Sequence, residues 1–244
     1  MIVSIHQPSY WPWLGLLDKI AKSNIFIILD NVDIKRQSYQ YRNIFYNNGR
    51  RKLLTLPINK NHSIRLDELE FKNEFWRNDH LDFLAKFYKS APYFSEIFPI
   101  IVEVYNKTYK SPVEFIINTV IESLRLFDIK TDIQRSSDYN CEKRKGELIL
   151  NLLINAKANI YLSGLGAKKY LTNHIMDFEL KNISIVWQYF SHPIYDQDKI
   201  HPFVEGLSCL DILFFNGIKE SQRVFWENIN KQKTKRFDRT NQYY

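Results

Sequence analysis

Two rhythms of apolar residues alternate along most of this chain. Ile2-Val3-Ser4-Ile5 reads as a strand, Pro8 to Trp13 as an aromatic turn, and about Leu14 to Lys22 as a helix. A second strand, Ile25 to Asp30, contains the unbroken apolar run Ile25-Phe26-Ile27-Ile28-Leu29. Such a run suits a strand covered on both faces, as in a parallel sheet. In residues 111 to 127, Val113, Ile116, Ile117, Val120, Ile121 and Leu124 recur at helical spacing. Ser111, Pro112 and Glu114 supply the N-cap, the first helical residue and the third position of a capping box.

Further on the pattern predicts a strand near Thr131 to Arg135, a helix from Lys143 to Lys157 and a strand from Ile160 to Leu162. A helix from Ala167 and a strand from Ile183 to Gln188 complete it. Strands separated by helices in this way are βαβ units, so the expected fold is α/β with an open, mainly parallel, Rossmann-like sheet. Between Asp33 and Glu74 the signals become short strands such as Leu53 to Ile58, and residues 76 to 109 read as aromatic-rich helices. We expect residues 1–230 to form one α/β domain, with an inserted or capping α+β subdomain over about 33–110 and a basic tail at 231–244.

Composition refines this. With 244 residues, 45% apolar and 15% aromatic, the chain is long enough to bury a substantial core. Its formal charge is +7, and residues 231–244 carry Lys231, Lys233, Lys235, Arg236 and Arg239 against Asp238. That segment holds more than half of the excess, so the body is only mildly basic and a nucleic-acid role would centre on the tail. Cys141 and Cys209 lie far apart, which excludes a disulfide framework and favours a reducing compartment. No C-x-x-C or H-E-x-x-H spacing occurs, and we expect no metal site. The N-terminus lacks the features of a signal peptide and no apolar run reaches membrane-spanning length, so the expected location is the cytoplasm.

Candidate chemistry gathers where strands end. In an open parallel sheet, ligands bind beyond the carboxyl ends of the strands. His6-Gln7-Pro8 follows the first strand and leads to Trp11 and Trp13, a titratable imidazole, an amide and rings suited to stacking on a base or sugar. Asp30 ends the second strand, and the basic run Lys35, Arg36, Arg42, Arg50, Arg51 and Lys52 follows, with Arg42 beside Asn43. An arginine fork holds a phosphate or carboxylate. Ser163-Gly164-Leu165-Gly166-Ala167-Lys168 lies between a strand and a helix, where backbone N–H groups face an anion. His192 to Gln197 follows the last strand and brings Tyr195 and Gln197, suited to hydroxyl recognition, while Ser208 and Asp211 sit in an apolar stretch able to support the site.

Taken together, His6-Gln7-Pro8 with Trp13 and Gly15, Asp30, Arg42-Asn43, Tyr161-Leu162-Ser163-Gly164 with Ala167 and Tyr170-Leu171, His192 to Gln197, and Ser208 through Asp211 to Asn216-Gly217 resemble the WbqC-like protein family. The resemblance spans about residues 1–220. It implies a place in bacterial O-antigen and surface-polysaccharide biosynthesis, with glycine transfer to an amino sugar as the activity proposed for a member. A fainter similarity, a strand, a His- and Pro-containing turn and a helix opening with Gly-Leu, is to nucleotidylyltransferases and ATP-dependent amide ligases. Their second histidine is missing at Trp13-Leu14-Gly15.

Three functions therefore compete. The first is an acyltransferase joining glycine or a similar small acyl group to the amine of a nucleotide-linked or lipid-linked amino sugar. His6 or His192 would take the amine proton, and Asp30 would orient or replace them. Trp11 and Trp13 would stack on base or sugar, while Arg42 and the Ser163–Lys168 turn hold phosphate. Its acyl donor would be an adenylate made from ATP with Mg²⁺, or a charged tRNA bound through the basic tail. The second is an ATP-dependent ligase or nucleotidylyltransferase, and the third a non-catalytic sugar- or nucleic-acid-binding protein. The catalytic candidates rest on strand-end placement rather than on the resemblance.

Overall fold

The computed structural model describes residues 1–34, 38–59, 65–73, 75–139, 141 and 145–240, with the side chains of 170, 173 and 233–240 left aside. Lys35 and Arg36, the expected helix start at 143–144, the Tyr170 side chain and most of the basic tail's side chains thus lie outside the described residues.

Five strands, β1 (Ile2–His6), β2 (Ile25–Ile28), β5 (Asp132–Arg135), β6 (Ile160–Ser163) and β7 (Ser184–Trp187), form a wholly parallel sheet. Their spatial order is β5-β2-β1-β6-β7. Chain order runs outward from β1 to one edge and then returns to the other side of β1, so the reversal falls between β1 and β6. Rossmann-like sheets bind their ligands at this switch point.

Alternation along the strands supplies two cores. Val3, Ile5 and Ile27 face α5 (Lys145–Asn155) and α7 (Ile175–Glu179), packing with Leu148, Leu152 and Phe178. Phe26 and Ile28 face the opposite cluster, built with α1 (Leu14–Ala21), α4 (Pro112–Leu126) and α8 (Leu210–Thr240). Both faces of β2 are thus covered, which accounts for its continuous apolar run. The helix predicted from residue 111 is α4. The Ser111 side chain accepts from Glu114 N–H, but the Glu114 carboxylate reaches back to Lys110 N–H rather than to the cap residue.

The segment after β2 holds the antiparallel hairpin β3 (Arg42–Asn47) and β4 (Arg50–Thr55), then α2 (Trp76–Tyr88) and α3 (Phe94–Asn106). Its Asn48-Gly49 turn has φ of 47° and 75°, the left-handed pair that closes a two-residue hairpin. The strand begins at Arg50 rather than Leu53, because pairing across the turn extends through the charged residues. Its aromatic side chains enter the same cluster as α1, α4 and α8. The helix expected from Ala167 is shorter than predicted. A 3₁₀ turn at Leu165–Ala167 leads into the four-residue α6 (Lys168–Leu171). Helix α8 breaks at Gly217, then runs through the first ten residues of the basic segment to Thr240.

Candidate functional site

The turn after β1 is fixed from three sides. Trp11 has a left-handed φ of 39°, its N–H donates to Thr119 Oγ1 of α4 at 3.0 Å, and its carbonyl accepts from Asn43 Nδ2 at 2.6 Å. The same amide donates to the Tyr10 carbonyl at 3.0 Å, and Cys209 N–H donates to the Pro12 carbonyl at 2.8 Å. Asn43 is therefore a clamp on the turn. Trp11 is completely buried, whereas Trp13 is 41% exposed and meets Phe190 edge-on at 5.2 Å. Of the two rings expected to stack on a ligand, Trp13 is the one facing solvent. Its indole lies across the first turn of α1, where a Cβ on Gly15 would come within 2.3 Å of the ring. Gln188, just past β7, ties into this turn by donating to the Gly15 carbonyl at 2.7 Å and to Asp18 at 2.8 Å.

His6 closes β1 with an exposed side chain, and Gln7 beside it is half-buried. His6 Nδ1 lies 2.8 Å from the Gln7 carbonyl, which only accepts, so Nδ1 carries the proton and Nε2 is the basic nitrogen of the neutral ring. His192 repeats this local geometry, with Nδ1 2.8 Å from the Pro193 carbonyl. Its Nε2 is buried without a hydrogen-bond partner, and burial lowers its pKa. The ring sits about 6 Å from Phe190, Tyr195 and Phe203. Phe190 thus links it to Trp13.

Beneath the switch point lies a group that strand-end reasoning missed. The β1–β6 register runs from Ile2↔Ile160 to Ser4↔Leu162. Carbonyls along β1 alternate sides, with Ile2 and His6 accepting from Asn24 and Leu29 on the β2 side and Met1 accepting from Asn159 and Ile160 on the β6 side. Ile5 accordingly faces β6, beyond the paired register, and its carbonyl accepts from Lys19 Nζ at 3.2 Å. Lys19 is 3% exposed, and burial lowers its pKa to about 7. Its signal was available: an eight-residue helix wedged between two covered strands has little solvent face, and Leu14 through Ile20 are all buried.

Other candidates occupy different environments. Asp30 is 5% exposed and its carboxylate accepts from Ser136 Oγ, Ser137 N–H and Ser137 Oγ at 3.0, 3.0 and 2.7 Å, with Arg135 Nε 3.5 Å away. It holds the ends of β2 and β5 together. Ser163 is buried at the end of β6, and a Cβ on Gly164 or Gly166 would meet nothing within 4 Å, so this turn borders open space. Arg42 is half-buried at the start of β3. Asp211 is fully enclosed and accepts from Tyr195 at 2.7 Å, Tyr88 at 3.2 Å and Gln197. Burial nevertheless raises its pKa to about 6. Tyr195, Gln197 and Asp211 thus form one internal network joining α2, the loop after β7 and α8.

A second cluster was also missed. Asp198 accepts from Tyr46 Oη and from His201 Nδ1, each at 2.7 Å, and the Tyr46 bond leads the interactions that hold its pKa down to about 2. The i, i+3 spacing in a loop carries no periodic signature. A cleft of about 460 Å³ runs from Ile2 and Ile160, at the amino ends of β1 and β6, past Leu162 and Val186 to Gln188 and Tyr189 just after β7. Lys22 at its rim is already paired with Asp18 at 2.6 Å and Gln232 at 2.9 Å. Among the described residues, His6 and Ser163 stand at the carboxyl ends of β1 and β6, and Asp30 just past that of β2.

The family model for the WbqC-like protein family matches residues 7–223, a span that begins just after β1 and includes the aromatic turn and every sheet strand after β1. The chain belongs to the WbqC-like protein family. This WbqC-like protein is also 27% identical over 219 residues to the uncharacterized protein Rv1507c of Mycobacterium tuberculosis, covering 88% of this chain and 94% of that one. No solved structure matches the chain. Among the described residues, no helix of this WbqC-like protein is long and apolar enough to cross a membrane.

Proposed function

We propose that this WbqC-like protein is an acyltransferase of surface-polysaccharide biosynthesis, transferring glycine or a similar small acyl group to the amine of a nucleotide-linked or lipid-linked amino sugar. The observation that carries this reading is His6, an exposed imidazole at the carboxyl end of β1 whose Nδ1–H is spent on Gln7, making Nε2 the proton acceptor. An attacking amine needs such a base. As the new C–N bond forms and the acyl carbon's bond to its leaving oxygen breaks, His6 takes the amine proton and returns it to that oxygen. Trp13 offers a ring for base or sugar, and the Ser163–Gly166 turn leaves space beside it. His192, with an unpartnered Nε2 in an aromatic surround, is the second base candidate and a contact for a sugar hydroxyl.

The test is mass spectrometry of a nucleotide-linked 4-amino-4,6-dideoxy sugar incubated with the protein, glycine, ATP, Mg²⁺ and glycyl-tRNA. A glycyl mass increase is expected, and His6→Ala should slow it by about 10²- to 10⁴-fold. Omitting ATP, or adding ribonuclease, identifies the donor and separates a transferase from an ATP-dependent ligase. Undiminished glycylation by folded His6→Ala would remove the histidine from the chemistry.

A further inference from the structure

We propose that Lys19 is the cation of an anion subsite at the β1–β6 switch point, and that the subsite takes the diphosphate of the sugar acceptor. This deepens the reading above by using the same crevice, but it does not depend on the acyl chemistry assigned there.

Four observations meet at this point. Lys19 reaches the β6 side of β1, where the paired register has ended and the Ile5 carbonyl takes the ammonium's hydrogen bond. An ammonium has three donors, and this one has a single acceptor and no carboxylate among the described residues. The acid next to it in sequence, Asp18, is turned to Lys22 and Gln188. Finally, Gly164 and Gly166 border open space, and the following Lys168 and Lys169 are exposed, so the turn facing the crevice adds positive charge.

A buried ammonium without a counter-ion is unfavourable, and an anion docked between the strand ends supplies what is absent. The surrounding charges do not replace it. Asp30 is held by Ser136, Ser137 and Arg135, while His6 and the two turn lysines contribute no negative charge. A diphosphate has the charge and oxygen count to engage both Lys19 and backbone N–H groups of the turn. Its source is either a nucleotide or a lipid carrier, and the two are separable by experiment.

Calorimetry at pH 8 with UDP and with farnesyl diphosphate, each in two buffers of different ionisation enthalpy, measures affinity and proton exchange together. Lys19, with its pKa near 7, is mostly neutral at pH 8. An arriving diphosphate should protonate it, so binding should take up close to one proton per site. His6→Gln should retain that uptake, whereas Lys19→Met should lose it along with at least about tenfold in affinity. Tight binding of UDP alone marks a nucleotide-linked acceptor, and of farnesyl diphosphate alone a lipid-linked one; either supports the subsite. Absence of binding by both at millimolar concentration, binding of wild type without proton uptake, or unchanged uptake in Lys19→Met overturns it. Because the wild-type uptake is itself decisive, a poorly folded variant does not leave the question open. Diphosphate binding without glycyl transfer would sink the acyltransferase reading and leave this subsite standing.

Discussion

Asp211 and Lys19 are both ionisable and both enclosed, yet their surroundings are opposite. Around Asp211, two tyrosine hydroxyls and a glutamine amide converge on one carboxylate and stitch α2, the loop after β7 and α8 into one body. Around Lys19, a single backbone carbonyl answers an amine with three donors when charged, and the Gly164–Gly166 turn after β6 borders open space. A buried charge with a complete set of partners serves the architecture. One left short of partners, at the edge where such sheets bind ligands, reserves a place for another molecule.

That contrast yields stability measurements of decreasing size. Burial depresses the Lys19 pKa from 10.5 to about 7, so the folded state resists a proton that the unfolded chain accepts. The penalty is complete below pH 7 and is relieved as pH rises toward 10.5. In urea titrations, wild type should gain roughly 4 kcal/mol on Lys19→Met between pH 7 and pH 10. A constant difference over that range would mean that the lysine's charge is already compensated. Asp211 has the reverse sign. Its pKa is raised to about 6, so its penalty is absent below pH 4 and appears as pH climbs through 4 to 6. Wild type should therefore lose roughly 2 kcal/mol relative to Asp211→Asn across that window. A flat profile there would show that the three donors fully offset burial.

Asn43→Ala tests the polar clamp on the aromatic turn. It removes the amide from two buried carbonyls and should lower stability by roughly 2 kcal/mol in thermal unfolding. Gly164→Ala should be the smallest, within about 0.5 kcal/mol, because its φ of −75° suits any residue and its Cβ would meet no atom. A large loss there would make the glycine structural and weaken the contrast between the two regions.

Much of the frame was legible in the linear pattern. Apolar runs and βαβ spacing predicted all five sheet strands, since burial on both faces leaves a continuous signal in β2. Boundaries failed where pairing, rather than periodicity, sets the structure. Four of the six residues of β4, Arg50, Arg51, Lys52 and Thr55, are polar, and the strand owes its extent to register with β3. The basic segment reads as a tail, yet α8 continues into it, and Arg223, Glu227 and Lys231 form successive i, i+4 pairs leading up to it. In the candidate site, the strand pattern is enough to put His6 at the end of β1 and the Gly164 turn just after β6. Nothing local distinguishes Trp11 from Trp13, because the left-handed backbone and the Asn43 clamp that turn one inward are tertiary features. Lys19 was overlooked because charge in a helix ordinarily signals a wet face, and α1 has almost none.

The indole resting on Gly15 also gives the molecule an optical reporter. Of its five tryptophans, Trp11 and Trp76 are buried, Trp187 and Trp226 are partly covered, and Trp13 is the most exposed, at the mouth of the crevice. Fluorescence quenching by acrylamide should fall mainly on that ring, and a base or sugar settling over it should shield the emission without any label.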